Sequence, residues 1–93
     1  MIENFRCKET ESIFYGYRSK KIPWDIQRTA LRKLLMIHAA ISINDLKIPP
    51  SNHLKKLHGK RKGQYSIRIN NQWRICFLWH EKNVYDLEII DYH

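Results

Sequence analysis

The feature that most restricts the fold of this chain is the alternation of apolar and polar residues in its last third. Residues 65–69 and 73–79 alternate with a period of two, a polar Asn70-Asn71 pair separates them, and residues 84–90 form a further apolar segment. A period of two places every second side chain on the same face of a β-strand. The pattern predicts three successive antiparallel strands, with one face of the sheet against a core and the other open.

An earlier segment has the period of a helix. Its apolar residues recur at intervals of three and four positions: Ile26, Ala30, Leu34, Ile37 and Ile41. This spacing predicts a helix from Trp24 to about residue 41, starting directly after Pro23, a residue tolerated in a first helical turn. Weaker patterns predict a short helix over residues 9–17 and short strands over residues 1–7 and 53–58. Residues 1–93 are therefore expected to form a single α+β domain, with an N-terminal strand and two helices packed on a mostly antiparallel sheet.

Excess positive charge is the strongest functional signal in the composition. Seventeen Lys and Arg residues against nine Asp and Glu give a net charge of +8. A small domain this basic is expected to bind a polyanion, either a nucleic acid or an anionic membrane surface. The alternative is that the charge only maintains solubility. The chain starts without an apolar leader, and its longest apolar run, residues 34–41, is too short to span a bilayer, so we predict a cytoplasmic protein without membrane attachment.

The spacing of cysteine and histidine argues against a disulfide or a metal site. Cys7 and Cys76 lie within apolar strand patterns and form no CxxC motif, so we expect two buried free thiols. His53 and His58 are five positions apart, and no acid or cysteine lies at the spacing that would complete a tetrahedral ligand set. We predict no bound metal.

Basic residues are concentrated just before and within the predicted strands. Seven lie within twenty residues: Lys55, Lys56, Lys60, Arg61, Lys62, Arg68 and Arg74. Arg68 and Arg74 occupy the polar phase of neighbouring strands, so we expect both on the open face, where forked guanidinium groups suit phosphate. Trp73 and Trp79 occupy the apolar phase and are expected in the core. This open face is the predicted interface for nucleic acid.

The last three residues, Asp91-Tyr92-His93, place an acid, a phenol and an imidazole side by side. Cleavage of RNA by its own 2′-hydroxyl needs a base for the hydroxyl proton, cations for the charged phosphorane and an acid for the leaving 5′-oxygen. His93 is suited to act as base or acid because an imidazole titrates near neutral pH, and Asp91 could orient it. The alternative is a frayed chain end without a function.

Several segments together resemble one known family. The run GKRKGQYSIRINNQWRICF from Gly59 to Phe77 and the ending EIIDYH resemble the HigB branch of the RelE-type toxins, also called plasmid maintenance system killer proteins. IENF at residues 2–5 and PPSN at residues 49–52 fit the same family, so the resemblance covers all 93 residues. It implies a small RelE-like α+β fold and a ribosome-dependent mRNA endoribonuclease that inhibits translation. Cleavage would use the 2′-hydroxyl of the message, without a metal or other cofactor.

The resemblance also implies partners. A toxin of this kind enters the aminoacyl site of the small ribosomal subunit and cuts the mRNA there. It pairs with a HigA-type antitoxin that carries a helix-turn-helix domain. The two proteins together repress their own operon, so contact with operator DNA is expected only through the antitoxin complex.

Residue roles follow from the same resemblance. Arg68 and Arg74 would hold the scissile phosphate. Asp91, Tyr92 and His93 would form the catalytic end, with Tyr92 as a stacking partner for a message base. Contacts to RNA or phosphate are expected from the basic segment before the meander: Lys55, Lys56, His58, Lys60 and Arg61.

The residues around His53 leave the assignment of one catalytic group open. Some relatives have a catalytic His and a Lys just before the glycine turn. Aligning on Gly59 and Arg61 puts Lys55 at the position of that His and His58 at the position of that Lys. His53, Lys55 and His58 therefore all stay candidates.

Two other classes of function fit the residues taken alone. The charge of +8 also suits a basic nucleic-acid-binding domain without enzymatic activity, or a module whose basic face docks an acidic protein. An inactive relative of the toxins would carry the same pattern.

Overall fold

Two helices pack on a four-stranded antiparallel sheet, as the sequence predicts for an α+β domain. The computed structural model describes residues 1–91, and Tyr92 and His93 lie outside the described residues. The helices are α1 (Lys8–Phe14) and α2 (Trp24–Ala39), and the strands are β1 (Lys55–Lys56), β2 (Gln64–Arg68), β3 (Trp73–His80) and β4 (Asn83–Asp91). Three short 3-10 helices, Ile43–Lys47, Pro50–Asn52 and Gly59–Arg61, lie in the connections. The strands follow one another in the order β1-β2-β3-β4.

Helix α2 buries the stripe that its sequence predicts. Ile26, Ala30, Leu34 and Ile37 are all buried in the core. The predicted fifth member, Ile41, is 71% exposed, because the helix ends at Ala39 and the chain then turns extended at Ala40. Apolar burial over this stripe is the main stabilising contribution of the helix, since an isolated helix of this length is marginal in water.

The sheet has two distinct faces, set by its register. Ile67 on β2 pairs with Ile75 on β3, which pairs with Ile89 on β4, and this row packs against the helices. We call this the inner face. The next row, Ser66, Cys76 and Glu88, lies on the opposite side, which we call the outer face. The partly exposed tryptophans Trp73 and Trp79 pack against the core, in agreement with their apolar phase.

Two predicted strands differ from the structure. Residues 1–7 form no regular strand, and their backbone pairs with β4 at isolated parallel bridges at Ile2 and Phe5. The ladder is interrupted where Asp86 takes a left-handed backbone (φ 53°) and its N–H donates to the Asn4 side chain. The strand predicted over residues 53–58 is only Lys55–Lys56, because a proline-led 3-10 turn ends at His53, which is also left-handed (φ 43°).

The short helix α1 ends earlier than its pattern predicts. It stops at Phe14, and Gly16 follows in a left-handed conformation (φ 89°) that closes the helix end. Within residues 1–91, no helix is long and apolar enough to cross a membrane.

Candidate active site

The centre of the candidate site is a pair of arginines on neighbouring strands. Arg68 on β2 and Arg74 on β3 are direct register partners, so their side chains leave the sheet side by side on the outer face. Like charges at directly opposed positions destabilise a sheet. A pair of guanidinium groups held this way is suited to an anion such as phosphate, which satisfies both.

Arg74 is not the exposed residue that its polar phase predicts. It is only 6% exposed, and its Nε donates to Ser66 Oγ at 2.8 Å. Its Nη2 donates to the carbonyl oxygens of His53 at 2.6 Å and of Ser66 at 3.3 Å. The prediction of an open position is wrong because the loop before β1 folds back over this end of the sheet. The result is a cation fixed in one orientation.

Arg68 keeps more freedom than its partner. It is half-buried and donates to the side-chain oxygen of Asn71 in the β2–β3 turn. The pKa of Lys33 on α2 is lowered, first by its burial and then by the positive charges of Arg32, Arg68 and Arg74. The Lys33 ammonium donates to Asn52 Oδ1 at 2.7 Å. This end of the sheet is therefore strongly cationic, both at the surface and beneath it.

A second row of polar residues crosses the outer face next to the arginine pair. Lys55 on β1 pairs with Ser66, and the row continues through Cys76 to Glu88 on β4. Arg61, from the Gly59–Arg61 turn, reaches over this row and donates from Nη1 to Glu88 Oε1 at 2.9 Å. The same atom is 3.0 Å from Gln64 Oε1. Ser66 and Cys76, in the middle of this row, are both fully buried.

The two cysteines are free thiols, as predicted, but the prediction that both are buried is wrong for Cys7. Cys76 is buried in the outer row, whereas Cys7 is only half-buried and lies 2.9 Å from Thr10 Oγ1. Burial raises the pKa of the Cys76 thiol to about 11, assisted by Glu88 and opposed by Arg61 and Arg74. A thiol with this pKa stays protonated at neutral pH, so Cys76 is a structural side chain and not a nucleophile.

The structure separates the remaining predicted site residues into two groups. Lys55 shares the outer face with the arginine pair, and the exposed His58 and Lys60 lie at the adjoining 3-10 turn. Lys56 pairs with Tyr65, whose ring packs against the core, so Lys56 belongs to the inner side of the sheet edge.

Asp91 also lies apart from the arginine pair. It pairs with Trp73 on the inner side, and its Oδ2 accepts a 3.0 Å hydrogen bond from Gln72 Nε2. Consecutive residues of a strand point to opposite faces, so Arg74 lies on the face opposite Trp73. Asp91, the partner of Trp73, is therefore on the face opposite Arg74, at the same end of the sheet. The other two residues predicted for the catalytic end, Tyr92 and His93, are outside the described residues.

Two side chains of the site, Ser66 and Glu88, were not identified from the sequence, and neither was the role of the His53 backbone carbonyl. Ser66 accepts a hydrogen bond from Arg74, and Glu88 pairs with Arg61. Both occupy the polar phase of their strands, a pattern from which they could have been predicted as site residues. The role of the His53 backbone carbonyl could not be predicted, because every residue has a carbonyl and the sequence does not show which one accepts a hydrogen bond from Arg74. Among residues 1–91, no group of three or more His, Cys, Asp and Glu side chains is arranged to hold a metal ion.

Comparison with known proteins places these residues in a family context. A family described as the RelE-like toxin of type II toxin–antitoxin system HigB matches residues 3–93. Toxin HigB-1 of Vibrio cholerae is 44% identical over 62 residues, which cover 67% of this chain and 65% of that protein. Endoribonuclease HigB of Proteus vulgaris is 32% identical over an alignment of 97 residues that covers all of both chains. An uncharacterized protein of Haemophilus influenzae is 42% identical over 73 residues, or 78% of this chain and 72% of that one.

The fold is also similar to solved structures. A chain of the heterotetrameric YoeB–YefM toxin–antitoxin complex from Staphylococcus aureus superposes with a TM-score of 0.62 and 19% identity, covering 100% of this chain and 95% of that chain. A second YoeB–YefM complex from the same organism gives a TM-score of 0.58. At this identity the likeness concerns the fold alone.

Proposed function

Because this chain belongs to the RelE-like HigB toxins of type II toxin–antitoxin systems, we propose that it is an endoribonuclease that cleaves mRNA on the ribosome. The observation that carries this proposal is the opposed pair Arg68 and Arg74 on the outer face. The full-length similarity to a protein named Endoribonuclease HigB supports the same reaction class. Inhibition of translation is the expected consequence.

The two arginines would hold the scissile phosphate in different ways. Arg68 is half-exposed and can turn from Asn71 to a phosphate oxygen. Arg74 is fixed by Ser66 and the His53 carbonyl, so it supplies a preoriented positive charge beneath the same phosphate. Charge that is already oriented stabilises a developing oxyanion without reorganisation during the reaction. Contacts from Lys55, His58 and Lys60 would extend along the RNA backbone on the same side.

The chemical step would use the message's own 2′-hydroxyl and no metal ion. A base takes the hydroxyl proton, the 2′-oxygen forms a bond to phosphorus, and the bond from phosphorus to the 5′-oxygen breaks while an acid protonates that oxygen. The products are a 2′,3′-cyclic phosphate and a free 5′-hydroxyl. His93 is the proposed proton-transfer group, with Asp91 and Tyr92 as its neighbours in the chain. Tyr92 would stack on a base of the message.

The partners follow from the family. The similar YoeB chain is part of a toxin–antitoxin complex, and an antitoxin partner is expected of a type II system. We propose that this partner is of the HigA type, with a helix-turn-helix domain, and that operator DNA is contacted only through the complex. The toxin would meet the mRNA in the aminoacyl site of the small ribosomal subunit, so its activity is expected in the cytoplasm.

The test is a primer-extension map of a defined message translated in vitro with the purified protein, with and without ribosomes. We expect new cuts within the reading frame only when ribosomes are present, with 2′,3′-cyclic phosphate ends. A 2′-deoxy substitution at the scissile nucleotide should abolish its cut, whereas the same substitution one codon away should not. Cuts at the deoxy position would contradict the 2′-hydroxyl route. If the folded protein does not cleave the message, the result would contradict the proposal and favour a basic nucleic-acid-binding domain or an inactive relative of the toxins.

A further inference from the structure

Two adjoining clefts lie outside the arginine site, around the connection between α1 and α2. The first, of about 550 Å³, is lined by Tyr17, Arg18, Trp24, Arg28 and Leu31 among others. The second, of about 690 Å³, is lined by the connection from Arg18 to Trp24 and by Trp73. Arg18 and Trp24 line both clefts, so the two form one continuous surface, which we call the tryptophan cleft.

The centre of the tryptophan cleft is an exposed cation–π pair. The Arg18 guanidinium lies 3.7 Å from the centre of the Trp24 ring. Trp24 is 61% exposed and Tyr17 is 72% exposed, which is unusual for large aromatic side chains in a domain of this size. Stacked guanidinium and indole planes are the surfaces on which proteins place unpaired nucleobases.

The charge around the pair is also suited to RNA. Cations line the two clefts at four positions: Arg18, Lys20, Lys21 and Arg28. Asp25 is the acidic residue among the lining side chains of the first cleft. A polyanionic backbone is attracted to such a groove, and the alternating aromatic and basic groups match the alternation of base and phosphate along a single strand.

The position of the cleft connects it with the proposed active site. Trp73 lines the second cleft, is the register partner of Asp91, and directly precedes Arg74 in β3. Trp73 and Arg74 lie on opposite faces of the sheet, so a strand of RNA whose phosphate lies at the arginine pair would have to pass around this end of the sheet to reach Trp24.

We infer that the tryptophan cleft binds the single-stranded RNA that flanks the cleaved phosphate, with one base stacked on the Arg18–Trp24 pair and Lys20 and Lys21 at backbone phosphates. This inference rests on the proposed function, because it uses the same RNA strand. An acidic segment of the antitoxin is the competing occupant. The exposed Arg18–Trp24 pair favours RNA, because its guanidinium and indole offer flat surfaces on which a nucleobase can stack, with Lys20 and Lys21 close by for phosphates.

The test is binding of an unstructured fluorescein-labelled RNA of twelve nucleotides to the full chain, measured by anisotropy at several salt concentrations without ribosomes. Trp24→Ala should weaken binding roughly 5- to 150-fold, the range for one stacked base. Trp24→Phe keeps an aromatic face and should stay close to the wild type. Leu35→Ala is the matched control, because Leu35 is also exposed on α2 (49%) but does not line the cleft. Replacing both Lys20 and Lys21 by Gln should reduce the slope of log affinity against log salt by about 1.4, or 0.7 for each lost phosphate contact.

Thermal unfolding of each variant separates binding from folding. Wild-type affinity in Trp24→Ala, or a loss that appears only in antitoxin binding, would overturn the inference. Cleavage on ribosomes provides the independent readout. If the wild type cleaves mRNA and folded Trp24→Ala binds RNA normally, the cleft assignment fails while the proposed function stands. If the wild type does not cleave but Trp24→Ala loses RNA affinity, the cleft assignment stands and the proposed function fails.

Discussion

Arg74 donates a 2.6 Å hydrogen bond to the backbone carbonyl of His53, which lies 21 residues earlier in the chain. His53 is left-handed (φ 43°), and it ends the turn that begins at Pro50. This contact joins the loop before the sheet to the centre of the arginine pair. It also gives His53 a role through its backbone carbonyl, separate from any role of its imidazole.

Arg68→Gln should reduce activity without reducing stability. The substitution removes one of two opposed like charges, so the free energy of unfolding should stay the same or rise by up to about 1 kcal/mol. Cleavage should fall roughly 10²- to 10³-fold, the usual effect of removing one donor to a developing oxyanion. The measurements are urea unfolding and ribosome-dependent primer extension. Lys47→Gln, an equal change of charge at the exposed end of the Ile43–Lys47 3-10 helix, is the control and should cleave normally. A clear loss of stability in Arg68→Gln would show that the pair is structural.

Ser66→Ala should destabilise the protein through Arg74. The change leaves the Nε of a buried guanidinium without its 2.8 Å acceptor, and a hydrogen bond to a charged group contributes about 1.5–3 kcal/mol. We expect a loss of this size in urea unfolding, together with reduced cleavage because Arg74 loses its orientation. Ser51→Ala, in an exposed turn, should change neither. Equal stability of the two variants would mean that Ser66 does not hold Arg74.

Cys76 should be protected from alkylation in the native protein. Its pKa of about 11 leaves little thiolate at pH 8, and its side chain is fully buried. Mass spectrometry after iodoacetamide treatment should show label on the half-exposed Cys7 first, and equal labelling of both residues in denaturant. Rapid native labelling of Cys76 would indicate that the outer row opens readily.

The same thiol predicts a pH dependence of stability. Its pKa is raised in the folded state from 9.0, so its contribution is fully present below pH 9 and is lost as the pH rises toward 11. Chemical unfolding between pH 8 and 11 should show a smaller alkaline loss of stability in Cys76→Ala than in the wild type. Identical slopes in the two proteins would contradict the assignment.

His93→Ala should lose cleavage while keeping the fold. Removing a proton-transfer group typically costs about 10²- to 10⁴-fold in rate. The free energy of unfolding in urea should stay close to that of the wild type, because the proposal gives His93 a role in proton transfer and not in folding. His80→Ala, at the exposed end of β3, is the matched control for loss of an imidazole. If His93→Ala cleaves at the wild-type rate, the proton-transfer group has to be sought among His53, Lys55 and His58.

Periodicity alone was sufficient for the main architecture. The apolar stripe from Ile26 to Ile37 and the alternation in β2 and β3 show which face of each element is buried. Because this burial stabilises the elements, their period predicts them. The weak patterns gave poorer results: residues 1–7 form bridges without a strand, and β1 has two residues. Short segments bury too little apolar surface for their period to override turn chemistry and side-chain hydrogen bonds.

The sequence by itself determined the fold class, the excess of positive charge and the placement of Arg68 and Arg74 in the polar phase of neighbouring strands, because each of these depends on composition or on local spacing. Only the tertiary structure decided that Arg74 is buried under the His53 loop, that Asp91 lies on the opposite face, and that Arg18 meets Trp24 beside Trp73. Most of these arrangements depend on contacts between residues far apart in the chain or on the register between strands. A local period carries no record of such contacts, since it reports which face a residue occupies and not what covers that face.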